Sequence, residues 1–385
     1  EKMKKSVFIL AILWLSLQCA GAELESLSEV FRLGKGILDK DKDGLADAIS
    51  LCIVVPDVPS AFETASASDI AARANFDSLV VDFSLVKRES EYNMTPSSSH
   101  PILIGSNLNS VKKWAAREKI SLDELENDHG FVALFSDKGQ SGIVIAAGSD
   151  RALLQTAREF FLRWPFLWEI WGREEGDTYI SLEEDLYAFF KTKNLSPGHI
   201  SILRADFQFP AIRSPHDAIK KLRFNRGEIK DLSVTVEFNA PEARAKAIEA
   251  VEELKSLHNR GFSTETLSYP GCAQITLQLR DKEQTVQISL PRMGYPKRML
   301  TPSYKPRPRA SRSGKEFDLT SVFTTKGFYS DSDKDSIQDT LDSLVVLPQN
   351  TPSPGTQWLT SRLVLETAGA SFPMVYLDRE IENKD

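Results

Sequence analysis

Aspartates alternate with other residues in two short stretches of this sequence. Residues 39–47 read DKDKDGLAD, and residues 331–339 read DSDKDSIQD. A backbone that coils tightly through such a stretch turns the alternating carboxylates towards one point, where their negative charges repel one another. A bound cation removes that repulsion, and carboxylate and carbonyl oxygens are the hard ligands that calcium prefers. The pattern therefore predicts a calcium-type loop in each stretch.

The spacing assigns a role to alternate positions of each loop. Positions 1, 3 and 5 supply carboxylates, position 7 supplies a backbone carbonyl, and position 9 supplies a carboxylate or its bound water. The predicted ligands are Asp39, Asp41, Asp43, Leu45 and Asp47 in the first loop and Asp331, Asp333, Asp335, Ile337 and Asp339 in the second. At position 7 we expect the apolar side chain to anchor the loop to the core. A solvated acidic turn is the alternative interpretation of each loop.

Both loops depart from the EF-hand pattern. Position 12, where an EF-hand has a bidentate Glu, is Ser50 in the first loop and Asp342 in the second, and an apolar strand follows instead of a helix. The second loop also has Ser336 where the first has Gly44, the residue type that permits a sharp bend. The loops resemble the calcium loops of thrombospondin type 3 and dockerin-like repeats. We expect weak binding, matched to extracellular calcium, and weaker binding in the second loop.

The two loops belong to a longer internal repeat. Residues 27–56 align without gaps on residues 319–348 at an offset of 292, with identity at ten of thirty positions. Both segments have a Leu-x-x-Val-Phe lead, then the acidic loop, then an apolar strand closed by proline. This shared order predicts a duplication.

The first 22 residues have the pattern of an export signal. Lys4 and Lys5 precede an apolar run at 6–17, and small residues follow at 20–22. The apolar run is too short to cross a hydrocarbon core, which needs about 20 residues. We therefore expect a signal peptide at 1–22 and a mature chain that is secreted or periplasmic in a bacterium, with no transmembrane segment after cleavage.

Composition and charge exclude further classes of protein. The chain has 385 residues, of which 41% are hydrophobic and 26% are charged, and this is typical of globular domains rather than of disorder or a membrane bundle. The formal net charge is −7, or about −9 beyond residue 22, which argues against a nucleic-acid partner. Cys52 and Cys272 are predicted to be free, buried thiols, and the sequence has no CxxC pair.

Alternating helix and strand periodicity predicts a multidomain α/β and α+β fold. We expect an α/β domain at 23–195 that begins with the first loop, and a ferredoxin-like domain of split-βαβ type, with element order βαβαββ, at 196–291. A basic, proline-containing linker is predicted at 292–316, and a truncated second copy of the first domain at 317–385. Within the first domain, strands are predicted at 49–55 and 78–85, on either side of a helix at 68–74.

Residues 101–190 carry a second resemblance. An Ile-Leu-Ile-Gly segment at 102–105, a strand at 131–135 and a segment at 142–150 that opens a helix look like the accessory α/β domains of secreted glycoside hydrolases. They are also similar to repeats in the periplasmic component of bacterial cellulose synthase. Such domains support architecture or carbohydrate contact, and no catalytic residue carries over from them. The aromatic cluster of Trp164, Phe166, Trp168 and Trp171 is suited to stacking on sugar rings, although a packed core is the favoured interpretation.

The sequence has no catalytic signature. Its five histidines show no paired-ligand spacing, and there is no P-loop, GxSxG or GxGxxG motif. The acidic run at 183–185 is predicted to be a solvated helix face, and the Gly-Ser-Asp turn at 148–150 to cap a helix. The leading hypothesis is an exported calcium-binding structural or interaction protein that contacts polysaccharide or a cell-envelope protein. The competing hypothesis is the N-terminal accessory region of a larger secreted hydrolase, a glycosidase or peptidase, with its active site beyond residue 385.

Overall fold

A computed structural model of the chain describes residues 23–30, 32–78, 80–92, 99–137, 139–162, 169–170, 180–209, 228–259, 272–290, 319–341, 343–349, 355–370 and 372–380. The predicted signal peptide and the predicted linker lie outside the described residues, as do Asp342 and the aromatic cluster of Trp164, Phe166, Trp168 and Trp171.

Six α-helices lie in the described part of the chain. They are α1 Ala61–Phe76, α2 Asn109–Arg117, α3 Asp150–Leu162, α4 Leu182–Thr192, α5 Pro241–Asn259 and α6 Thr356–Leu365. Helix α1 begins with a capping box, in which Ser60 accepts from the Glu63 amide and the Glu63 carboxylate accepts from the Ser60 amide. The turn at 148–150 caps α3, as predicted, because the Ser149 hydroxyl accepts from the Ala152 amide. No described helix has both the length and the apolar character needed to cross a membrane.

The described strands, in chain order, are β1 Ile37–Leu38, β2 Ala48–Ile49, β3 Leu51–Val55, β4 Val86–Arg88, β5 His100–Ile104, β6 His129–Asp137, β7 Gln140–Ala147, β8 Glu169–Ile170, β9 Ile180–Ser181, β10 His199–Gln208, β11 Glu228–Glu237, β12 Cys272–Arg280, β13 Thr285–Leu290, β14 Tyr329–Ser330, β15 Thr340–Leu341, β16 Val345–Leu347 and β17 Val375–Leu377. Nine of them form one mixed sheet in the order β13-β12-β11-β10-β6-β7-β5-β3-β4. The neighbours β7, β5, β3 and β4 are parallel. The chain is therefore of the mixed α/β class.

Side chains of the central strands alternate between two cores. Ile53 and Ile102 face the core that also contains residues of α1, α3, α4 and α5. Val54 and Leu103 face the opposite core, which contains residues of α2. Because both faces of β3 are covered, its five residues are all buried, and this accounts for the continuous apolar run in the sequence.

The predicted split-βαβ arrangement of residues 196–291 is wrong. In a split unit another strand lies between the two parallel strands, but β11 and β12 are direct parallel neighbours joined through α5. The predicted boundary at 195/196 also falls within one sheet, because β10 pairs with β6 along residues 204–208. Hydrophobic periodicity defines the elements and their exposed faces, but it contains no information on which strands become neighbours.

The strand predicted at 78–85 is also misplaced. In the structure the strand that follows α1 is β4, at Val86–Arg88. Before β4 the chain turns, and the Asp82 carboxylate accepts from the amide and the hydroxyl of Ser84. Asn75 holds this turn against α1 through the Asp82 backbone. Such side-chain hydrogen bonds to the backbone compete with strand pairing.

Residues 319–380 repeat the order of secondary-structure elements at the start of the first predicted domain. β14 and β15 lie 292 residues after β1 and β2, and each pair is antiparallel. β16 pairs in parallel with β17 at Val345–Val375, as β3 pairs with β4 at Ile53–Val86. Helix α6 connects β16 to β17, and α1 connects β3 to β4. The structural correspondence thus extends well beyond the aligned segment, which ends at Pro348.

The two repeated segments pack against each other through α1 and α6. The Thr360 hydroxyl of α6 donates to the backbone oxygen of Ser68 of α1 over 3.2 Å. The helix of one repeated segment therefore lies against the helix of the other.

Buried charges hold β17 to the first segment. Asp69 Oδ1 accepts from the amides of Met374 and Val375 at 2.8 and 3.0 Å. Arg158 of α3 donates to both carboxylate oxygens of Glu380, at 2.9 and 3.1 Å. Burial raises the pKa of Asp69 to about 7, although Arg158 and the two amides act in the opposite direction.

We predict that Asp69 makes the protein less stable as pH rises from about 4 to about 7. In this window the unfolded chain has lost the Asp69 proton, while the folded chain retains it until the pH passes the raised pKa. Thermal unfolding of the wild type and Asp69→Asn across this range should show the wild-type midpoint falling relative to that of the variant. A constant difference between the two midpoints would contradict the prediction.

Candidate metal-binding loops

The β1–β2 pair closes the first acidic loop. Leu38 pairs with Ala48, and the Asp47 amide donates to the Leu38 oxygen over 2.8 Å, so that the ends of the loop are held together. Between them, Lys42 and Gly44 have φ values of 65° and 92°, in the left-handed region. These two residues coil the backbone tightly enough for alternate side chains to point inward.

The coiled backbone of the first loop donates its amides to the aspartates. Asp39 accepts from Lys42 at 2.6 Å through one carboxylate oxygen and from Gly44 at 2.9 Å through the other. Asp43 accepts from the Leu45 amide at 2.8 Å. One carboxylate oxygen each of Asp39, Asp41 and Asp43 lies within 4.8 Å of the other two. The structure thus brings together the carboxylates predicted at positions 1, 3 and 5.

Asp47 has a different place in the first loop. Its Oδ2 accepts from the amides of Lys40 and Asp41 at 2.7 and 3.3 Å, which closes the loop from its far end. It is not part of the convergent group of Asp39, Asp41 and Asp43. In this arrangement the side chain at position 9 shapes the loop.

The second loop repeats this network. Asp331 accepts from the amides of Lys334 and Ser336 at 2.6 and 3.0 Å, and Asp335 accepts from the Ile337 amide at 2.7 Å. Each of these bonds has its counterpart in the first loop at an offset of 292. Ser336 takes a φ of 75°, the left-handed conformation that Gly44 has in the first loop. The substitution therefore leaves the coil intact and places a serine in a conformation that disfavours side chains.

The second loop gathers a different set of carboxylates. Oxygens of Asp331, Asp333 and Asp339 lie within 4.8 Å of one another, and Asp335 is not among them. A hydrogen bond from the Asp335 amide lowers the pKa of Asp333, but partial desolvation and the charges of Asp335, Asp339 and Asp331 together raise it. Mutual repulsion among these carboxylates is what a bound cation would relieve.

The expectation that position 7 anchors each loop is wrong. Leu45 is 51% exposed and Ile337 is 59% exposed. Each follows a residue with a left-handed backbone conformation, Gly44 or Ser336, and the backbone there directs the side chain into solvent.

Backbone and hydroxyl contacts attach each loop to the end of its own helix. In the first segment the Ser78 hydroxyl, just after α1, donates to the Ala46 oxygen at 3.2 Å. In the second, the Ala368 amide and the Thr367 hydroxyl, just after α6, donate to the Gln338 oxygen at 2.8 and 3.0 Å. Ala46 and Gln338 are equivalent positions, 292 apart. The conformation of each loop is therefore linked to the packing of its helix.

A third group of possible ligands was missed in the sequence. Glu126, Asp128 and His129 lie at the start of β6, with His129 Nδ1 at 3.0 Å from Asp128 Oδ1 and 3.4 Å from Glu126 Oε2. The only signal was a histidine next to two nearby acids, without the paired spacing of a metal motif. Gln208 donates to the other oxygen of Asp128 at 3.3 Å, which connects this group to β10.

Two further sequence predictions concern residues outside the loops. The acidic run at 183–185 is not a solvated helix face, because Glu183 accepts from the hydroxyls of Ser26 and Ser28 at 3.2 and 2.5 Å and Asp185 is buried. Cys52 is a free, buried cysteine, as predicted, and burial raises the pKa of its thiol.

No protein-family model matches the chain, and no curated protein matches it either. The geometry of the loops and the pattern of the repeat are therefore the basis of the functional argument.

Exchanging the residues at position 6 should change stability in opposite directions. We expect Gly44→Ser to destabilise the protein by about 0.5–1 kcal/mol, because a side chain at positive φ costs about 1–2 kcal/mol and restriction of the unfolded chain offsets part of this. Ser336→Gly, the reciprocal change, should stabilise it by up to a similar amount. Urea unfolding in the presence of a chelator measures both effects without an ion. An unchanged or raised urea midpoint for Gly44→Ser would contradict the conclusion that position 6 needs a left-handed backbone conformation.

Proposed function

We propose that the protein is an exported, calcium-stabilised scaffold whose two aspartate loops each bind one calcium ion in a structural role. The observation that carries the proposal is the pair of loops with the same amide-to-carboxylate network at an offset of 292. In each loop the network turns three carboxylates towards one point. We infer that the two segments arose by duplication of one calcium-binding unit.

Calcium is favoured because the ligands are hard oxygens in exposed loops. Mg²⁺ demands near-ideal octahedral geometry and gives up its water reluctantly, whereas Ca²⁺ accepts six to eight oxygens in irregular arrangements. The convergent atoms in both loops are carboxylate oxygens, without a histidine or cysteine that would favour zinc. Water and backbone carbonyls complete the coordination in this proposal.

The open coordination of the loops supports weak binding and hence an extracellular location. Each loop leads into a strand, β2 or β15, and does not reach a bidentate Glu. We expect calcium sites without this Glu to have dissociation constants of about 10⁻⁴–10⁻³ M, the range of extracellular modules. The predicted signal peptide at 1–22 is consistent with this location.

The ion's structural role follows from what each loop contacts. A loop that closes around calcium fixes the Ala46 or Gln338 carbonyl, and this carbonyl accepts from the segment after α1 or α6. Because α1 and α6 form the contact between the two segments, loop closure stabilises both the helix ends and the arrangement of the segments. Calcium thus acts on the fold rather than on a reaction in this proposal.

We predict that calcium raises the stability of the full chain. With dissociation constants of about 10⁻⁴–10⁻³ M, 10 mM calcium should add about 1.4–2.7 kcal/mol for each occupied loop. Thermal unfolding in calcium and in chelator measures the shift, and isothermal titration calorimetry should give two sites for the wild type. Asp41→Asn should leave one site, and so should Asp333→Asn.

The matched control is Asp123→Asn, which removes an equally exposed carboxylate far from both loops in sequence. It should retain the calcium shift and both sites. If the wild-type midpoints in calcium and in chelator coincide, the loops are solvated acidic turns. A shift that is as large with magnesium as with calcium would argue against calcium selectivity.

A further inference from the structure

A histidine lies beside two acidic side chains at the start of β6. Glu126, Asp128 and His129, which we call the β6 cluster, each offer one ligand atom, and these atoms lie within 4.8 Å of one another. His129 Nδ1 is 3.0 Å from Asp128 Oδ1 and 3.4 Å from Glu126 Oε2. Adjacent ligands on a transition-metal ion are about 3.0–3.4 Å apart, because each lies about 2.1 Å from the ion and the angle between them is about 90–109°. The two distances match those between adjacent ligands of one ion.

The orientation of the His129 ring shows that neither contact is a hydrogen bond. Nδ1 is closed off from solvent and has no hydrogen-bond partner in the described part of the chain, although two carboxylate oxygens lie beside it. A ring nitrogen directs its hydrogen or its lone pair along one axis in the ring plane, and neither oxygen lies close enough to that axis. In a metal site this is the expected arrangement, because the nitrogen points at the ion and past the other ligands.

Two neighbouring elements fix the backbone of the β6 cluster. The backbone oxygen of Asp128 accepts from the Phe209 amide, just after β10, at 2.9 Å. The backbone oxygen of His129 accepts from the Gly148 amide, just after β7, at 3.0 Å. The two ligands that lie in or next to β6 are therefore held in place by the sheet, and an ion can bind without reorganising their backbone.

A side chain of β10 orients the Asp128 carboxylate. Gln208 donates to Asp128 Oδ2 at 3.3 Å, while Oδ1 faces His129. A hydrogen bond to a ligating carboxylate is typical of metal sites, because it holds the ligand in the orientation that the ion needs. Glu126 is exposed, so water has access to the remaining coordination positions.

We propose that the β6 cluster binds one divalent transition-metal ion of the Zn²⁺ type. The ligands are His129 Nδ1, Asp128 Oδ1 and Glu126 Oε2, and water supplies the remaining positions. Imidazole nitrogen is a ligand that zinc and its neighbours in the first transition row accept, whereas calcium and magnesium select oxygen. The histidine thus distinguishes this cluster from the two aspartate loops, whose convergent atoms are all carboxylate oxygens. Because Asp128 is bonded to β10, the ion holds the start of β6 to the end of β10.

Isothermal titration of the full chain with zinc chloride, in excess calcium so that oxygen-only sites are not open to zinc, tests the proposal. The wild type should show a zinc site that His129→Ala abolishes and that Gln208→Ala weakens about tenfold, since Gln208 only orients a ligand. His199→Ala is the matched control, because His199 lies 3.2 Å from a single acid, Glu25, and it should retain the site. Equal zinc binding by the wild type and His129→Ala would overturn the proposal, as would the absence of binding to the wild type.

Nuclear magnetic resonance of the histidine rings provides a second measurement on the wild-type chain, which holds even if a variant fails to fold. Zinc should shift the ring signals of His129 and leave those of His199 unchanged. In the competing arrangement a protonated His129 forms an ion pair with the two carboxylates and no metal binds. The His129 signals would then respond to pH and not to zinc, and this result would refute the metal site.

Discussion

Helix α1 is surrounded by the sheet, by α3 and by α6, and the arrangement of the whole molecule depends on how closely these elements approach it. The approach is possible because the buried positions of α1 are mostly Ala and Ser, which leave room for neighbours on every side. Ala67 and Ala71 pack in the core under the sheet, whereas Ala65 and Ala72 pack with residues of the second segment. A larger side chain at these positions would force α3 or α6 away.

Close packing around α1 also buries polar groups, and their partners determine how the second segment sits. Asp69 accepts two amides at the start of β17, and Asn75 donates to the Ser361 hydroxyl of α6 at 2.9 Å. Arg158 and Glu380 form a buried ion pair beside them. Because an unpaired buried charge is costly, these bonds define one arrangement of the two segments. The same helix therefore supports the sheet, joins the repeats and lies next to the end of the first loop.

The two aspartate loops keep their local structure when the segment is repeated. The loops keep the same hydrogen bonds in both segments because those bonds are local, between residues no more than seven apart. Strand pairing, in contrast, is not local: β3 pairs with both β4 and β5, whereas β16 pairs with β17 among the described residues. Similar sequences thus acquire different surroundings. Val54 and Val346 are identical residues at equivalent positions, and one is buried while the other is exposed.

The sequence by itself determined local features: the coiled aspartate loops, the repeated segment and the mixed α/β class. These features depend on residues close together in the chain, where alternation, capping residues and turn residues act directly. Only the tertiary structure decided that β10 joins β6 in one continuous sheet, that β11 and β12 are neighbours, and that Leu45 and Ile337 face solvent. It also decided that the two segments face each other through Ser68 and Thr360. Contacts between distant segments depend on the packing of the whole chain, and periodicity does not encode which elements meet.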